Sequence, residues 1–444
     1  MMDDHRFLII VSDFHLSEGW DEETKHLSRN EDFFFDTAFF RFLSKQVEIA
    51  AQGGYRLRLL IPGDLVDFLQ VTTVPSGDRL DGEPIEPRHR QFGLGTSSAH
   101  TCWKLKRIMS GHRVFFDALA RFLSGGHDLV ILPGNHDIEW VIPEVQATFV
   151  SEMATRAPAG AEKGVAERIR FLPWFYLEPN LIYVDHGHQY DRLNSFDHFL
   201  HPYLSDGRID LPAGSFFVRY LFNKVELSFP FADNMKPSTA FICWALKRIE
   251  GWRNIPKYLR FFNETLKKAG PIKPEWREQL EQEQAERLRA LSGQTGLPVD
   301  RLSELQALWV QSAIHHAPKW RLFLAFLGAA GGDDPLTSFA NRISALLDVR
   351  YVVFGHTHEA DLQPLSNGPP GAEYVNSGTW TKVFAENVEE RLLKEESEFV
   401  YVLIDRAGPK IELLRWRDDL GAGERVRLFQ RLASRPKVSP GGQA

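Results

Sequence analysis

The sequence predicts an α/β protein in which buried strands alternate with helices. Continuous apolar runs at residues 7–11, 57–61 and 129–132 are typical of strands that are buried on both faces. Apolar residues recur at helical spacing between these runs, as in residues 33–50, and two glycines at 53–54 end that pattern. Each run stops at a short motif that contains aspartate or histidine. The repeated order of strand, polar loop and helix therefore predicts a sheet flanked by helices, with polar side chains at the carboxyl ends of its strands.

The other elements of the first half are assigned in the same way. Residues 71–98 are rich in Gly, Pro, Asp and Arg, so we expect a long loop that borders the polar motifs. Residues 99–123 predict one helix, which two glycines at 125–126 end. Residues 169–172 and 181–184 predict two more strands.

The alternation stops at residue 190. The sequence from there to residue 347 is aromatic and helical in pattern, with proline breaks, and predicts a helical insertion that caps the core. Residues 349–354 resume the core, and strands near 372–376, 399–404 and 410–416 follow at a spacing typical of antiparallel pairing. The predicted organisation is a first core part at 1–189, the insertion at 190–347, a second core part at 348–434 and a disordered tail at 435–444.

Composition limits the class of protein. With 444 residues, 43% of them hydrophobic and 25% charged, the chain is expected to form one large globular domain with insertions, or two domains. A net charge of -7 argues against a surface that binds nucleic acid throughout, although a local basic patch stays open. No apolar run reaches the ~20 residues that a bilayer requires, so we expect no integral membrane segment. The first residues lack the basic region of a secretory signal and the two cysteines lie far apart, which predicts a cytoplasmic protein.

Polar motifs follow the predicted strands, and each contains residue types that bind metals. Four of them are Ser12-Asp13-Phe14-His15, Gly63-Asp64-Leu65-Val66-Asp67, Gly134-Asn135-His136-Asp137 and Gly355-His356-Thr357-His358. A fifth, Asp185-His186-Gly187-His188, ends the predicted strand at 181–184. One such motif alone is more often a polar turn, but together they supply the oxygen and imidazole ligands of a site with two metal ions. The sequence therefore predicts a metal-dependent hydrolase.

The spacing within the motifs suits shared coordination. Asp13 and His15 are two positions apart, so both side chains would project from the same face of an extended segment, and the same holds for His356 and His358. Asp64 adds a carboxylate that can bridge two cations about 3.5–4 Å apart. The resulting sets of nitrogen and oxygen ligands suit two divalent transition-metal ions better than magnesium or calcium. Manganese is the first expectation, with iron or zinc as alternatives.

The ordered motifs resemble those of the metallophosphoesterase, or calcineurin-like phosphoesterase, superfamily. That pattern reads D-x-H, G-D-x-x-[DN], G-N-H-[DE], a later His and G-H-x-H, and all five blocks occur in this order between Asp13 and His358. The resemblance implies a four-layer α/β/β/α sandwich of two mixed sheets with the helical insertion added. It also implies hydrolysis of phosphoester or pyrophosphate bonds.

The resemblance also implies a role for each residue of the motifs. One metal ion would be held by Asp13, His15, Asp64 and His358, and the other by Asp64, Asn135, His186 and His356. A hydroxide that bridges the two ions would be the nucleophile. His136, paired with Asp137, would be the catalytic residue that contacts the phosphate or protonates the leaving group.

Two neighbouring assignments need a choice. His186 and His188 flank the same glycine, and we favour His186 as the ligand because the family's later ligand commonly precedes a glycine. His188 would then support the site or contact the substrate. Asp67 is expected to hold its own loop or the imidazole of a ligand.

The substrate is less well determined, and a small phosphorylated molecule is the first expectation. The motif at 12–17, the apolar insertion and residues 375–380 are similar to the UDP-2,3-diacylglucosamine diphosphatase branch. That branch has Arg where this chain has His136 and has a shorter cap, whereas phosphodiesterases, phosphatases and nucleases commonly have the His form.

Nucleic acid and lipid are alternative substrates. Residues 247–268 are cationic with interleaved aromatic side chains, a pattern that fits either a phosphate-binding surface or a solvated helix face. A non-enzymatic scaffold is disfavoured because every ligand position is present. The sequence makes no prediction about the oligomeric state.

Overall fold

A computed structural model describes residues 5–223, 235–236, 274–312, 335–381, 384–385 and 399–425 of the protein. Within these residues the fold is mixed α/β with two mixed sheets, one of seven strands and one of five. The strands of the two sheets are β1 (His5–Ile10), β2 (Arg56–Pro62), β3 (Asp128–Leu132), β4 (Ile169–Phe171), β5 (Tyr176–Glu178), β6 (Ile182–Val184), β7 (Tyr351–Phe354), β8 (Asp361–Pro364), β9 (Glu373–Asn376), β10 (Val400–Asp405), β11 (Lys410–Arg417) and β12 (Ala422–Arg425).

The larger sheet has the strand order β12-β11-β10-β1-β2-β3-β4. Strands β1 to β4 pair in parallel, whereas β10 joins β1 antiparallel, so a parallel half and an antiparallel half meet at β1. The smaller sheet has the order β8-β9-β7-β6-β5, with a parallel centre and an antiparallel strand at each edge. Because parallel strands end at the same sheet edge, the motifs that follow β1, β2 and β3 are brought close together.

The pairing of β9 corrects one expectation from the sequence. This strand pairs in parallel with β7, and not antiparallel as its spacing suggested. Strand β8, which lies between them in the chain, supplies the antiparallel partner of β9. The sequence did not reveal β8 because its residues are all partly or fully exposed, so they lack the apolar pattern of a buried strand.

The helices of the described residues flank these sheets. They are α1 (Asp36–Gly53), α2 (Pro87–Phe92), α3 (Ser98–Gly111), α4 (Arg113–Ser124), α5 (Pro143–Thr155), α6 (Glu162–Glu167), α7 (Ala213–Phe217), α8 (Pro274–Thr295), α9 (Val299–Gln306) and α10 (Leu336–Leu347). Helix α1 illustrates why they form: Phe39, Phe42 and Leu43 are buried at helical spacing. Gly54, at φ +65°, then ends the helix by donating its N–H to the last carbonyls.

The predictions of a loop at residues 71–98 and of one helix at residues 99–123 both need correction. The single helix predicted at 99–123 is wrong, because the chain breaks between α3 and α4 at Gly111 and His112. A Cβ on Gly111 would lie only 1.9 Å from the carbonyl oxygen of Glu18, so the chain needs a glycine for this close approach. The preceding segment is not loop throughout, since it contains α2 and a short hairpin, Arg79–Leu80 with Glu83–Pro84.

Alternate residues of β1 belong to two different hydrophobic clusters. Leu8 and Ile10 lie in a buried cluster that contains residues of both sheets, among them Val353 of β7. Ile9 lies in the other cluster, with residues of α1 and α4 such as Phe39. This two-residue alternation is that of a strand buried on both faces, as the apolar run predicted.

The predicted insertion at 190–347 is described only in part. Its described residues include α7 to α10 and the short strand Met235–Lys236, which pairs with Phe384–Ala385. The cationic stretch at 247–268 and the predicted tail at 435–444 lie outside the described residues. Among the helices that are described, none combines the length and the apolar character needed to cross a bilayer.

Candidate metal centre

The predicted ligands lie on strained turns just after the strands. Nine non-glycine residues of the described chain have positive φ, and five of them are predicted ligands: Asp13 (56°), His15 (49°), Asp64 (53°), His356 (70°) and His358 (59°). A left-handed conformation costs an L-residue about 1–2 kcal/mol, and such strain is commonly stored at functional sites. The extended geometry that we expected for the Asp-x-His and His-x-His pairs is therefore wrong. The side chains of each pair reach the site from a tight turn.

Backbone hydrogen bonds and one aromatic anchor hold the first two turns together. The amides of Phe14 and His15 both donate to the carbonyl oxygen of Asp64, at 2.9 and 3.0 Å. Phe14 is fully buried, and its ring centroid lies 5.1 Å from that of Phe39 and 5.6 Å from that of Trp380. Asp13 and His15 flank this anchored residue, so the core fixes the positions of both.

A first cluster contains Asp13, His15 and His358. Nε2 of His358 lies 3.3 Å from Oδ1 of Asp13 and 3.0 Å from Nε2 of His15. Nδ1 of His15 lies 3.4 Å from Oδ2 of Asp67, and because a carboxylate only accepts, Nδ1 donates and the lone pair of a neutral His15 is on Nε2. One ligand atom from each of the three residues can therefore face a single cation.

A second cluster contains Asp64, His186 and Asn135. Nε2 of His186 lies 3.1 Å from Oδ2 of Asp64 and 3.1 Å from Oδ1 of Asn135. Its other nitrogen, Nδ1, lies 2.8 Å from the carbonyl oxygen of Pro62 and must donate to it. In a neutral His186 the lone pair of Nε2 would then point at two oxygen atoms, so this geometry needs a proton or a cation between them.

The charge balance of the two clusters also fits a cation. Asp13 and Asp64 are essentially inaccessible to solvent, and in the described residues their ion-pair partners are histidines alone. Burial opposes the charged form of both carboxyls, but His358 and His186 outweigh it, so the pKa of Asp13 is lowered and that of Asp64 is lowered well below its usual range. Burial likewise opposes the imidazolium of His186, yet Asp64 raises its pKa to about 9. Ionised buried carboxylates are retained where a positive partner compensates them.

The two clusters share members and form one continuous site. Asp64 Oδ2 lies between His186 Nε2, at 3.1 Å, and His15 Nε2, at 3.6 Å. Asp13 also belongs to groups of possible ligand atoms on both sides. Glycines of the motifs provide the space: a Cβ on Gly63 would lie 2.5 Å from Nδ1 of His186, and one on Gly134 would lie 2.2 Å from Oδ1 of Asp64.

His356 lies beside this site but is bonded differently from the other predicted ligands. Its backbone N–H donates to both carboxylate oxygens of Asp13, at 3.1 and 3.2 Å. Its Nε2 lies 3.0 Å from Oδ2 of Asp191, a residue that the sequence motifs did not include. His356 therefore is not a member of the Asp and His groups that can share one ion.

The expected pairing of His136 with Asp137 is wrong. Nδ1 of His136 lies 2.5 Å from Oδ2 of Asp67, and its backbone N–H donates to Oδ1 of Asp64 at 2.9 Å. Asp67 Oδ1 accepts from two amides of its own loop, so the carboxylate orients His136 and His15 as well as the loop. This dual role agrees with the expectation for Asp67.

Asp137 has a different function in the fold. Its two oxygens accept from the amides of Gly134, Asp64, Leu65 and Val66 and from the indole N–H of Trp140. Burial and the neighbouring Asp64 carboxylate raise the pKa of Asp137 to about 7. Asp137 is fully buried and thus joins two motif loops.

His188 is the less suitable of the two neighbouring histidines. It is buried against Phe196 and Phe199, and neither ring nitrogen has a hydrogen-bond partner among the described residues. Its ring lies 5.3 Å from that of His186, which faces Asp64 directly. The geometry therefore favours His186, as the sequence suggested.

Residues 376–380 form hydrogen bonds to the turns that carry the predicted ligands Asp13 and His356. Thr379 Oγ1 donates to the carbonyl oxygen of Asp13 at 2.7 Å, and Asn376 Nδ2 donates to that of Gly355 at 2.7 Å. Ser377 Oγ lies 2.7 Å from Ser12 Oγ. These hydrogen bonds explain why polar side chains occur at the end of strand β9 and directly after it.

No sequence profile of a known protein family matches the chain, and no curated protein matches its sequence. A functional assignment therefore depends on the motifs and on the geometry of the candidate metal centre.

Proposed function

We propose that this protein is a metallophosphoesterase, which hydrolyses phosphoester or pyrophosphate bonds with two divalent metal ions. The observation that carries the proposal is the convergence of Asp13, His15, Asp64, His186 and His358 from four separate loops. Their nitrogen and carboxylate oxygen atoms face one another in a buried site whose charges and lone pairs suit cations. The two mixed sheets, with one hydrophobic cluster shared between them, support the four-layer sandwich as the fold.

In this proposal Asp13, His15, Asp64 and His358 would hold one ion, and Asp64, Asn135 and His186 would hold the other. His356 would be the fourth residue of the second set: it is not among the groups whose atoms already lie close enough to share one ion, but its ring centroid lies 5.2 Å from that of His186. Two such ions, when bound, would supply positive charge for the phosphoryl oxygens and would activate a water molecule for attack. The protein's contribution is to hold the ligands rigidly on strained turns, so that little reorganisation is needed during the reaction.

His136 is the proposed acid for the leaving group. With Asp67 accepting from Nδ1, the second nitrogen of a protonated His136 can carry the hydrogen that is donated. The side chain is 13% exposed, whereas Asp67 is fully buried, so His136 can meet a substrate while its partner stays fixed.

The geometry does not favour the lipid-nucleotide branch over other substrates. Residues 375–380, which are similar to that branch in sequence, contact Asp13, Ser12 and Gly355. These contacts support the turns of the proposed ligands, whatever the substrate is. We therefore propose a phosphate ester or pyrophosphate in general, with manganese as the first ion to test.

The experiment is hydrolysis of bis-p-nitrophenyl phosphate and p-nitrophenyl phosphate by the purified protein with added Mn²⁺. We expect cleavage of at least one ester, and loss of both activity and bound metal in the Asp64→Asn variant. Asp128→Asn is the matched control, because Asp128 is also a carboxylate within ion-pair distance of a histidine, His5, but lies at the start of β3, away from the site. Full metal binding without cleavage of either ester would overturn the proposed reaction, and turnover in Asp64→Asn would overturn the central role of Asp64.

A further inference from the structure

The first turn of the predicted insertion contacts two of the proposed ligands. Asp191 Oδ2 lies 3.0 Å from His356 Nε2, and Asn135 Nδ2 donates to Asn194 Oδ1 at 3.4 Å. Asn194 Nδ2 in turn donates to Asp191 Oδ2 at 2.6 Å. A short hydrogen-bonded network thus joins Asn135 and His356, which are far apart in the chain, through the insertion.

Each contact selects which atom of the ligand is free to bind. An amide that donates to Asn194 through Nδ2 turns its oxygen away, and Oδ1 of Asn135 indeed faces His186 Nε2 at 3.1 Å. Since a carboxylate only accepts, His356 carries its hydrogen on Nε2 toward Asp191, which leaves the lone pair of a neutral imidazole on Nδ1. This is the arrangement by which a carboxylate orients a metal-binding histidine.

The turn that carries these two residues is itself fixed. Asp191 accepts from the amides of Leu193, Asn194 and Ser195 through its side chain and its carbonyl oxygen. Helix α7 packs directly against it: the amide of Gly214 donates to the carbonyl oxygen of Leu193 at 2.7 Å. A Cβ on Gly214 would lie 2.1 Å from Asn194 Oδ1, so only glycine leaves room for that side chain.

Helix α7 also contacts Asn135 itself. Ser215 Oγ donates to the backbone carbonyl oxygen of Asn135 at 3.2 Å. Both the backbone and the side chain of this proposed ligand are therefore held by residues of the insertion.

We infer that Asp191 and Asn194 are positioning residues, which hold His356 and Asn135 so that the insertion completes the second metal position. This inference rests on the proposed function, since it concerns the ligands assigned there. As a consequence, the predicted insertion contributes to metal binding in addition to covering the site. Changes in its first turn alter metal affinity at one of the two positions.

The test is calorimetric titration of the full-length, metal-free protein with Mn²⁺. Asp191→Asn and Asn194→Ala should each weaken one of the two binding events by about 10–100-fold, the usual effect of losing a partner of a metal ligand, and leave the other unchanged. Gly214→Ala removes no polar group but displaces Asn194, so it should weaken the same event. Asp206→Asn is the matched control, because Asp206 is a carboxylate of the same insertion that binds Arg208 and not a proposed ligand.

The free energy of unfolding of each metal-free variant is measured alongside. A merely structural role would lower this free energy and leave the affinity of the folded protein unchanged, which would overturn the inference. Equal weakening of both binding events would overturn it as well. If the wild-type protein binds Mn²⁺ but cleaves no phosphoester, the proposed reaction fails while the affinities still test the inference; if it binds no divalent ion, both fail.

Discussion

Replacing Asp67 by Asn should remove the proposed acid function of His136 and weaken metal binding through His15. Oδ1 of Asp67 accepts from the amides of Leu69 and Gln70 at 2.8 and 3.0 Å, so the oxygen of an asparagine would keep that position. Its NH₂ group would then face Nδ1 of His136 and Nδ1 of His15, which both need an acceptor. A donor facing a donor breaks both contacts, and His136 can no longer hold a hydrogen on each nitrogen.

The expected magnitude follows from these two contacts. Loss of general acid catalysis typically reduces turnover by about 10²–10⁴-fold, equivalent to about 3–5 kcal/mol in the barrier. Loss of the carboxylate behind His15 should also weaken metal binding by about 10–100-fold. His136→Gln should show the same loss of turnover with unchanged metal affinity, and the double variant should be no slower than Asp67→Asn, because the two residues act as a unit.

The assay compares two leaving groups at saturating Mn²⁺. A p-nitrophenolate leaves readily without a proton, whereas phenolate does not, so Asp67→Asn should lose more activity on the phenyl ester than on the p-nitrophenyl ester. Asp128→Asn serves as the control for a carboxylate change elsewhere. Equal losses on both esters, or a His136→Gln variant that retains wild-type turnover, would refute the assignment of His136 as the acid.

Three further outcomes are expected. Burial alone would lower the pKa of His112, but the Glu31 and Asp36 carboxylates raise it to about 10. The ion pairs of protonated His112 with these carboxylates therefore stabilise the fold fully below pH 6.5, and this stabilisation is lost as the pH rises toward 10. His112→Gln should therefore cost about 3–5 kcal/mol in urea unfolding at pH 6 and much less at pH 10, and an equal cost at both pH values would contradict this reading. Gly134→Ala should lower Mn²⁺ content because the new Cβ would lie 2.2 Å from Asp64 Oδ1, whereas Gly164→Ala, with no atom within 4 Å, should bind metal normally. Phe14→Ala should lower the free energy of unfolding by about 3–5 kcal/mol, and a loss below 1 kcal/mol would show that this ring does not anchor the first turn.

The strand ends that carry the proposed ligands could be predicted because their signal is local. A buried strand shows itself by a continuous apolar run, and β1, β2, β3 and β7 were all found where such runs occur. The residues after a run lie at the strand's end, so Asp13, Asp64 and His356 could each be assigned to a strand end; their common region was an expectation from the ordered set of motifs. Strand β8 carried no comparable apolar signal and was missed, and helix α5 was missed although Val145, Phe149 and Met153 recur at helical spacing.

Partners between loops could not be predicted in the same way. Asp137 follows His136 directly, but neighbouring side chains project in different directions, and the actual partner is Asp67 from another loop. Asp191 was missed for the same reason, since its contact with His356 depends on how the insertion folds back onto the core. Hydrogen-bond pairs between different loops depend on tertiary packing, which cannot be read directly from a single sequence.

The strained turns explain why the local geometry of the ligands was also predicted wrongly. An extended conformation is the ordinary expectation for Asp13 and His15, yet both have positive φ, a conformation that local preference would give to glycine. Glycine at these positions would relieve the strain but would remove the ligand atoms. The chain therefore accepts about 1–2 kcal/mol of strain per residue, which the burial of Phe14 and the hydrogen bonds to the Asp64 carbonyl offset. Because those contacts belong to the core, they hold the turns of the proposed ligands in place without a bound metal ion or substrate. Five of the nine non-glycine residues with positive φ in the described chain are consequently residues to which the proposed chemistry is assigned.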